Sequence, residues 1–471
     1  MQFSNTYSSL PKNFFATTKP GLFPNASLLK YNNSLSKELG LNLEGKSNKE
    51  LANIFSAQHL LENSKPIALA YAAHQFGYFV PQLGDGRALL LGEVLDPTGK
   101  RYDIQLKGSG QTAYSRNGDG LSALGPVIRE YILSEAMHGL GVPTTRALAI
   151  VSTGELVHRE KSFPGAIFTR VASSHIRVGT FQYFAAKGDV ESVKTLLDYA
   201  IERHYPEIVT DHAISFLRAV IRKQISLVTH WMSLGFIHGV MNTDNMSISG
   251  ETLDYGPCAF MDKFSHGKVF SSIDQNGRYA YNNQGNILLW NMARLAECLK
   301  PLVHADDQTA VKLLNKELES VSEDFQCELD KKMTAKLGLK SDNVDLINQF
   351  LNLLEQEGLD FTLSFRNICS LDSTHKSAGM MTFYNTWKQK LTADGTTIEK
   401  VAEKIRKVSP LYIPRNHQVE LAIQGAMNDD LTVFNDINKV MQRPFEFQSQ
   451  LDRYSLAPVP SEEVVATFCG T

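Results

Sequence analysis

Ala88-Leu89-Leu90-Leu91-Gly92-Glu93-Val94, then Asp96-Pro97-Thr98-Gly99, then Arg101-Tyr102-Asp103-Ile104-Gln105-Leu106-Lys107 is the stretch on which the fold turns. Two runs rich in apolar residues flank a Pro-Thr-Gly turn, which is the pattern of two strands joined by a short loop. A Gly- and Ser-rich loop, residues 108–120, follows. After it, Val127-Ile128-Arg129-Glu130-Tyr131-Ile132-Leu133-Ser134-Glu135-Ala136-Met137 carries apolar residues at helical spacing until Gly139 and Gly141. The order strand, strand, glycine loop, helix puts Lys107 at a strand end and Glu130 on the helix that follows.

Working outward, residues 144–152 and 165–172 read as further strands, and from about 190 to 234 the 3.6-residue period dominates. Residues 235–264 interrupt the helical run with Asp244-Asn245, a short apolar stretch, and Asp254-Tyr255-Gly256, placing these polar groups in loops. From residue 286 to about 443 the pattern is helical again. The expected class is α+β, strand-rich first and mostly helical afterwards. Residues 1–60 mix turn formers with short amphipathic pieces and read as an extension packed on the main domain. No internal repeat or low-complexity segment is visible.

The 471 residues, 43% hydrophobic and 21% charged, are enough for a large core. A formal net charge of −3 argues against a surface that coats nucleic acid. No apolar run approaches the roughly 18–20 residues that cross a bilayer, and the polar start lacks the halves of a signal peptide. The expectations are a cytoplasmic protein without membrane or nucleic-acid partners, and a monomer by default. Five cysteines, Cys258, Cys298, Cys327, Cys369 and Cys469, lack paired spacing for a disulfide framework or zinc cluster.

Group transfer from ATP needs cations on the phosphates, oxygen ligands for a divalent metal, and a means of positioning the attacking hydroxyl. Lys107 followed by Glu130 is the arrangement with which protein kinases hold a phosphate-binding lysine. Asn245, and nine residues later Asp254-Tyr255-Gly256, resemble the catalytic-loop Asn and the D-F-G Asp; such hard oxygens suit Mg²⁺ or Mn²⁺. Kinase signatures are otherwise missing: there is no H-R-D-x-x-x-x-N and no G-x-G-x-x-G, only Gly84-Asp85-Gly86-Arg87.

More specific is the set Gln82-Leu83-Gly84-Asp85-Gly86-Arg87, Gln105-Leu106-Lys107-Gly108, Tyr114-Ser115-Arg116-Asn117-Gly118-Asp119-Gly120, Ser134-Glu135-Ala136-Met137-His138, Pro143-Thr144-Thr145-Arg146-Ala147-Leu148 and Met241-Asn242-Thr243-Asp244-Asn245. In these motifs, taken in order along the chain, the sequence resembles the selenoprotein O family. The resemblance implies a protein-kinase-like bilobal fold with N- and C-terminal extensions: an extension over 1–60, a strand-rich lobe over 61–185, a helical lobe with the metal site over 186–330, and a helical part with a redox tail over 331–471. It also implies reversed ATP, so that AMP passes to Ser, Thr or Tyr of a protein with release of pyrophosphate.

By that resemblance, Gly84, Gly86, Arg87, Lys107 with Glu130, Asp119, Gly120, Arg170, Arg177 and Asp254 bind the nucleotide. Asn245 and Asp254 hold the metal, and Asp244 accepts the hydroxyl proton. A carboxylate of ordinary pKa near 4 is a weak base for a hydroxyl, so orientation of the acceptor is the expected role of Asp244. UMP transfer from UTP with Mn²⁺ is a second expected use. In animal relatives a selenocysteine stands near the chain end where Cys469 stands here. That implies a redox role, with a Cys258–Cys469 disulfide and two unlinked thiols as equal alternatives.

Two competing readings use the same residues. A protein kinase with ATP in the usual orientation is disfavoured by the absent H-R-D. A nucleotide-binding pseudokinase scaffold is disfavoured because Lys107, Asn245 and Asp254 are all present. Taken singly, Lys107 and Glu130 read as solvated charges and Asp254-Tyr255-Gly256 as a turn. His238 reads as structural, and Arg129, adjacent to Glu130 on a helix, faces elsewhere.

Overall fold

Ile104 and Leu106 alternate with Asp103, Gln105 and Lys107, so a strand there must show an apolar face on one side and a polar one on the other. The computed structural model describes residues 1–340, 343–370 and 377–468. Among them are eleven strands: β1 (Phe15–Thr17), β2 (Ser27–Tyr31), β3 (Ile67–Leu69), β4 (Ala73–Gln75), β5 (Tyr78–Val80), β6 (Ala88–Leu95), β7 (Arg101–Lys107), β8 (Arg146–His158), β9 (Ser162–Ala172), β10 (Phe236–Ile237) and β11 (Ala259–Phe260). Seven form one sheet in the order β1-β3-β6-β7-β9-β8-β2, and the strand pairs within it are antiparallel.

β6 and β7 pair with Ala88 opposite Lys107 and Leu95 opposite Arg101. Their turn is fastened by Asp96, whose Oδ1 accepts the Thr98 and Lys100 amides at 2.8 and 2.9 Å. Ile104 and Leu106 of β7, with Leu89 and Leu91 of β6 and Ile167 and Val171 of β9, bury against the helices Asn33–Glu38 and Asn48–Phe55. The opposite face, with Leu90, Ile150 and Phe168, packs on the helix Leu124–Gly139. Gln105 and Lys107 share that second face, which is how the strand brings its lysine to Glu130.

The first 60 residues thus do more than pack on a finished sheet: β1 and β2 are its two edge strands. Their lengths of three and five residues gave little periodicity to read.

The second half is helical, with Val178–Ala185, Val190–His204, His212–Ser233, Gln284–Leu299 and Val321–Ala335 leading into further helices as far as Val440. The architecture is α+β, one main antiparallel sheet with many helices. Between the helices at 233 and 284, β10 and β11 pair as Phe236–Phe260 and Ile237–Ala259. The excursion they enclose carries Asp244, Asn245 and Asp254. It is tied to the first turn of the helix Val178–Ala185, where Gly179 N donates to Thr243 O and Val178 N to Met246 O, each at 2.9 Å.

The helix Asn416–Met427 returns against Leu124–Gly139. Fully buried Arg415 anchors that return on Asp262 and, at 2.8 Å, on Asp360. Among the described residues no helix is long and apolar enough to cross a membrane.

Candidate active site

Lys107 ends β7 against the middle of the helix Leu124–Gly139, and its Nζ lies 2.6 Å from Glu130 Oε2 while also contacting Asp254 Oδ1. Arg170, directly opposite Gln105 in the β7–β9 ladder, reaches the same carboxylates: Glu130 Oε1 at 3.2 Å and Asp254 Oδ1 at 3.8 Å. Gln105 Oε1 accepts two bonds from the Arg170 guanidinium, at 2.6 and 3.2 Å, fixing its plane. Burial alone pushes the Asp254 carboxyl up, but Lys107 and Arg170 outweigh it and hold the group well below the usual carboxylate range. Asp254 sits at φ +69°, a left-handed conformation that costs a non-glycine residue on the order of 1–2 kcal/mol.

A cavity of about 520 Å³ opens beside this cluster. Gly84, Gly86, Arg87, Lys107, Asp119, Gly120, Arg170, Arg177, Asp244, Asn245 and Asp254 all line it. Glu130 stands behind the wall, in contact with Lys107 and Arg170. Three surface concavities, about 800, 830 and 640 Å³, are larger but gather none of these residues.

The glycines have steric reasons. A Cβ on Gly84, at φ +75°, would lie 2.3 Å from the Tyr114 ring, and one on Gly120, at φ +70°, would lie 2.1 Å from the Gly110 carbonyl oxygen. Only glycine lets the loop at Gly84 close on Tyr114 and the two ends of the 108–120 loop close on each other at the cavity wall.

Arg177 is buried, stacks at 4.3 Å on Tyr71 and stands 3.6 Å from Asp85 Oδ1. Asp85, whose carboxyl burial pushes up against the pull of Arg177, also accepts from Leu69 N at 3.2 Å and Gln105 at 3.1 Å. Asp119 is held in a bidentate pair by Arg159, at 2.7 and 3.1 Å.

Asp244 departs from the ordinary carboxylate expected of it. Burial pushes it up to about 6 even though Arg177 pulls the other way. Its Oδ2 accepts from Gln75 at 3.2 Å, and its buried Oδ1 has no hydrogen-bond partner.

Asn245 donates its amide nitrogen to Val240 O at 2.9 Å, leaving the amide oxygen as the end free for a cation. One amide and one carboxylate do not make a closed protein cage, and among the described residues no group of three or more His, Cys, Asp or Glu could hold a metal ion. The donor set fits a hard divalent ion that keeps substrate phosphates and waters as its remaining ligands.

A family model described as protein adenylyltransferase SelO matches residues 1–442. The chain belongs to this family. A protein nucleotidyltransferase YdiU of Rhizobium johnstonii is 49% identical over 486 aligned positions, covering 100% of this chain and 97% of that protein. Namesakes in Rhizobium meliloti and Rhodopseudomonas palustris are each 50% identical, covering 100% of this chain and 99% of theirs.

Within this SelO-family site, Asp85, Gln105, Arg129 and Gln75 also take part. Gln105 and Asp85 brace Arg170 and Arg177. The polar alternation of Asp103, Gln105 and Lys107 along a buried strand was a legible signal for Gln105. Arg129, read from the sequence as facing elsewhere, borders the same small cavity as Glu130, Lys107 and Asp254, where it donates to Gly256 O at 3.0 Å and to Cys258 O, pinning the segment after Asp254. Gln75, on a three-residue strand, carried no signal. His238 is buried against Trp231, 5.3 Å between rings, as a structural residue would be.

Cys258 is a buried free thiol pushed up to about 12 by burial, a poor source of thiolate. Cys469 lies outside the described residues. The chain just before it is fastened beside Cys258, with Thr467 Oγ1 donating to Pro257 O.

Proposed function

We propose that the chain transfers AMP from ATP to a Ser, Thr or Tyr hydroxyl of a protein, releasing pyrophosphate. The observation carrying this is the convergence of Lys107, Arg170 and Arg177 with Asn245 and Asp254 on one cavity, into whose wall Asp244 brings a buried oxygen without a partner. Membership of the SelO family supports it.

In this reading Lys107 and Arg170 exchange part of their contact with Glu130 and Asp254 for the triphosphate. The guanidinium of Arg170, already held flat by Gln105, gives paired donors to phosphate oxygens. Attack at the α-phosphorus builds negative charge on the departing pyrophosphate, and buried cations there stabilise it more than solvent-exposed ones would. Asn245 and Asp254 would hold Mg²⁺ or Mn²⁺, which supplies further neutralisation of the triphosphate when bound.

Asp244, raised by burial, is a better acceptor for the hydroxyl proton than an exposed carboxylate. The sheet and the helical half are read as the two lobes of a protein-kinase-like fold, because Lys107, Glu130, Asn245 and Asp254 follow the kinase order along the chain.

The test supplies ATP labelled at the α- or the γ-phosphorus, with Mg²⁺ or Mn²⁺, to the protein and to Asp254→Ala. Label on protein from the α-position only, lost in the variant, is the expected result. Label from the γ-position only makes the chain a kinase, and ATP binding without label on any acceptor makes it a scaffold. UTP with Mn²⁺, run alongside, reads nucleotide choice.

A further inference from the structure

The hairpin β4–β5 lies apart from the main sheet and pairs Ala73 with Val80, His74 with Phe79 and Gln75 with Tyr78. Its two-residue turn, Phe76-Gly77, has φ +52° and +90°, positive at both central positions, as a twisted two-residue hairpin turn requires. Asn or Gly takes the first position easily; phenylalanine does so at a cost of about 1–2 kcal/mol. That strain is held by the catalytic excursion itself. Phe76 N donates to Asn242 Oδ1 at 3.1 Å, the same oxygen receives Tyr279 OH, and the Phe76 ring packs edge-on against Tyr279 at 5.2 Å.

The next two residues back along the hairpin are tied to the next two of the excursion. His74 N donates to Thr243 Oγ1 at 2.7 Å, and Thr243 Oγ1 donates to Gln182 Oε1 at 2.6 Å. Gln75 Nε2 donates to Asp244 Oδ2 at 3.2 Å. So the run His74-Gln75-Phe76 bonds to the run Asn242-Thr243-Asp244, and the bond from Gln75 is the side-chain contact that reaches the Asp244 carboxylate. The other Asp244 oxygen is buried and unpartnered.

We propose that Gln75 is a positioning residue for the transfer step: it fixes the Asp244 carboxylate so that the unpartnered oxygen points to the acceptor hydroxyl, and the strained Phe76-Gly77 turn exists to deliver it. The proposal rests on Asp244 as the hydroxyl-directed group. A carboxylate free to rotate about its last bond spends part of its time misdirected, and misalignment of about an ångström at a reacting group costs orders of magnitude in rate. Gln75 therefore acts on turnover and not on nucleotide binding.

The experiment measures AMP transfer from α-labelled ATP to casein and to the chain itself in Gln75→Met, which keeps length and loses the donor. Gln75→Asn, which keeps the amide and loses the reach, is the second variant. Both are expected to lower kcat by roughly tenfold, the scale of one lost hydrogen bond in the transition state. KM for ATP, calorimetric ATP binding and Tm are expected to stay at the wild-type values. In an Asp244→Ala background, Gln75→Met is expected to have no further effect.

Wild-type turnover in Gln75→Met, with turnover lowered but still measurable in Asp244→Ala, overturns the proposal alone. So does a loss confined to KM, or an additional tenfold loss in the Asp244→Ala background. Wild-type turnover in Asp244→Ala overturns the assignment of Asp244 and the proposal with it.

Discussion

Lys107 Nζ is held between Glu130 Oε2, at 2.6 Å, and Asp254 Oδ1, so the lysine proposed to serve the phosphates also sits on the carboxylate proposed for the metal. A divalent ion that takes Asp254 Oδ1 displaces Lys107 from it, and Glu130 is the carboxylate left to hold the lysine. In Glu130→Gln the lysine leans on Asp254 more strongly, and the ion competes against it. The expected outcome is a several-fold rise in the Mg²⁺ or Mn²⁺ concentration that half-saturates nucleotide binding, read by titrating metal at fixed ATP. An unchanged midpoint would show that Glu130 does not serve as the lysine's alternative partner.

Gly120→Ala tests the closure of the glycine loop. The new methyl would lie 2.1 Å from Gly110 O at a φ of +70°, so the 108–120 loop must shift. Because this loop borders the cavity and carries little of either core cluster, ATP affinity is expected to fall by at least about tenfold while Tm drops by only a few degrees. Calorimetric titration and thermal melting read the two effects separately.

Gly139→Ala makes the opposite prediction. Its Cβ would stand 1.9 Å from the Met441 carbonyl oxygen, where the chain following the helix Thr432–Val440 crosses the end of Leu124–Gly139. Neither backbone can yield without unseating a buried helix, so the variant is expected to lose roughly 1–3 kcal/mol of stability. Urea midpoints measure it, and catalysis in the folded fraction is expected to persist.

Lys336 supplies a pH signature of stability. It is fully buried beneath Phe361 and Phe365, its Nζ 5.5 and 4.7 Å from their ring centroids, and burial lowers its pKa from 10.5 to about 7. Between these values the unfolded chain binds the proton and the folded chain does not, so this group's contribution to stability rises with pH from about 7 to 10.5. Below pH 7 both states are charged and the cost is constant, on the order of a few kcal/mol. Lys336→Met is accordingly expected to melt higher than wild type at pH 6 to 7, with the gap shrinking toward pH 10. A gap independent of pH would mean that packing, not the charge, sets the difference.

The placement of several candidate site residues was legible because its signals are local, whereas their roles came from the family resemblance, since taken singly Lys107 and Glu130 read as solvated charges and Asp254-Tyr255-Gly256 as a turn. Lys107 at a strand end, Glu130 four residues into a helical period, and Asp244-Asn245 and Asp254 in a break between helices each follow from the spacing of neighbours within a few residues. Gly84 and Gly120 stood out as glycines in loops, although the reason for them, Tyr114 in one case and Gly110 in the other, did not. Asp119 was visible, but not that Arg159 holds it. The two edge strands and the β4–β5 hairpin were missed because three to five residues are too short for a period to show.

The sequence by itself determined which residues form the longer strands and helices and which face of each is apolar, since alternation and the 3.6-residue period are properties of a single segment. It thereby set Lys107, Gln105 and Arg170 on polar positions of otherwise buried strands. Only the tertiary structure decided what those positions meet: Lys107 with Asp254 across 147 residues, and Gln75 with Asp244 across 169. Such contacts arise because burying both faces of the sheet forces distant segments together. The partner is then selected by the shared burial of many side chains, and no local pattern encodes it.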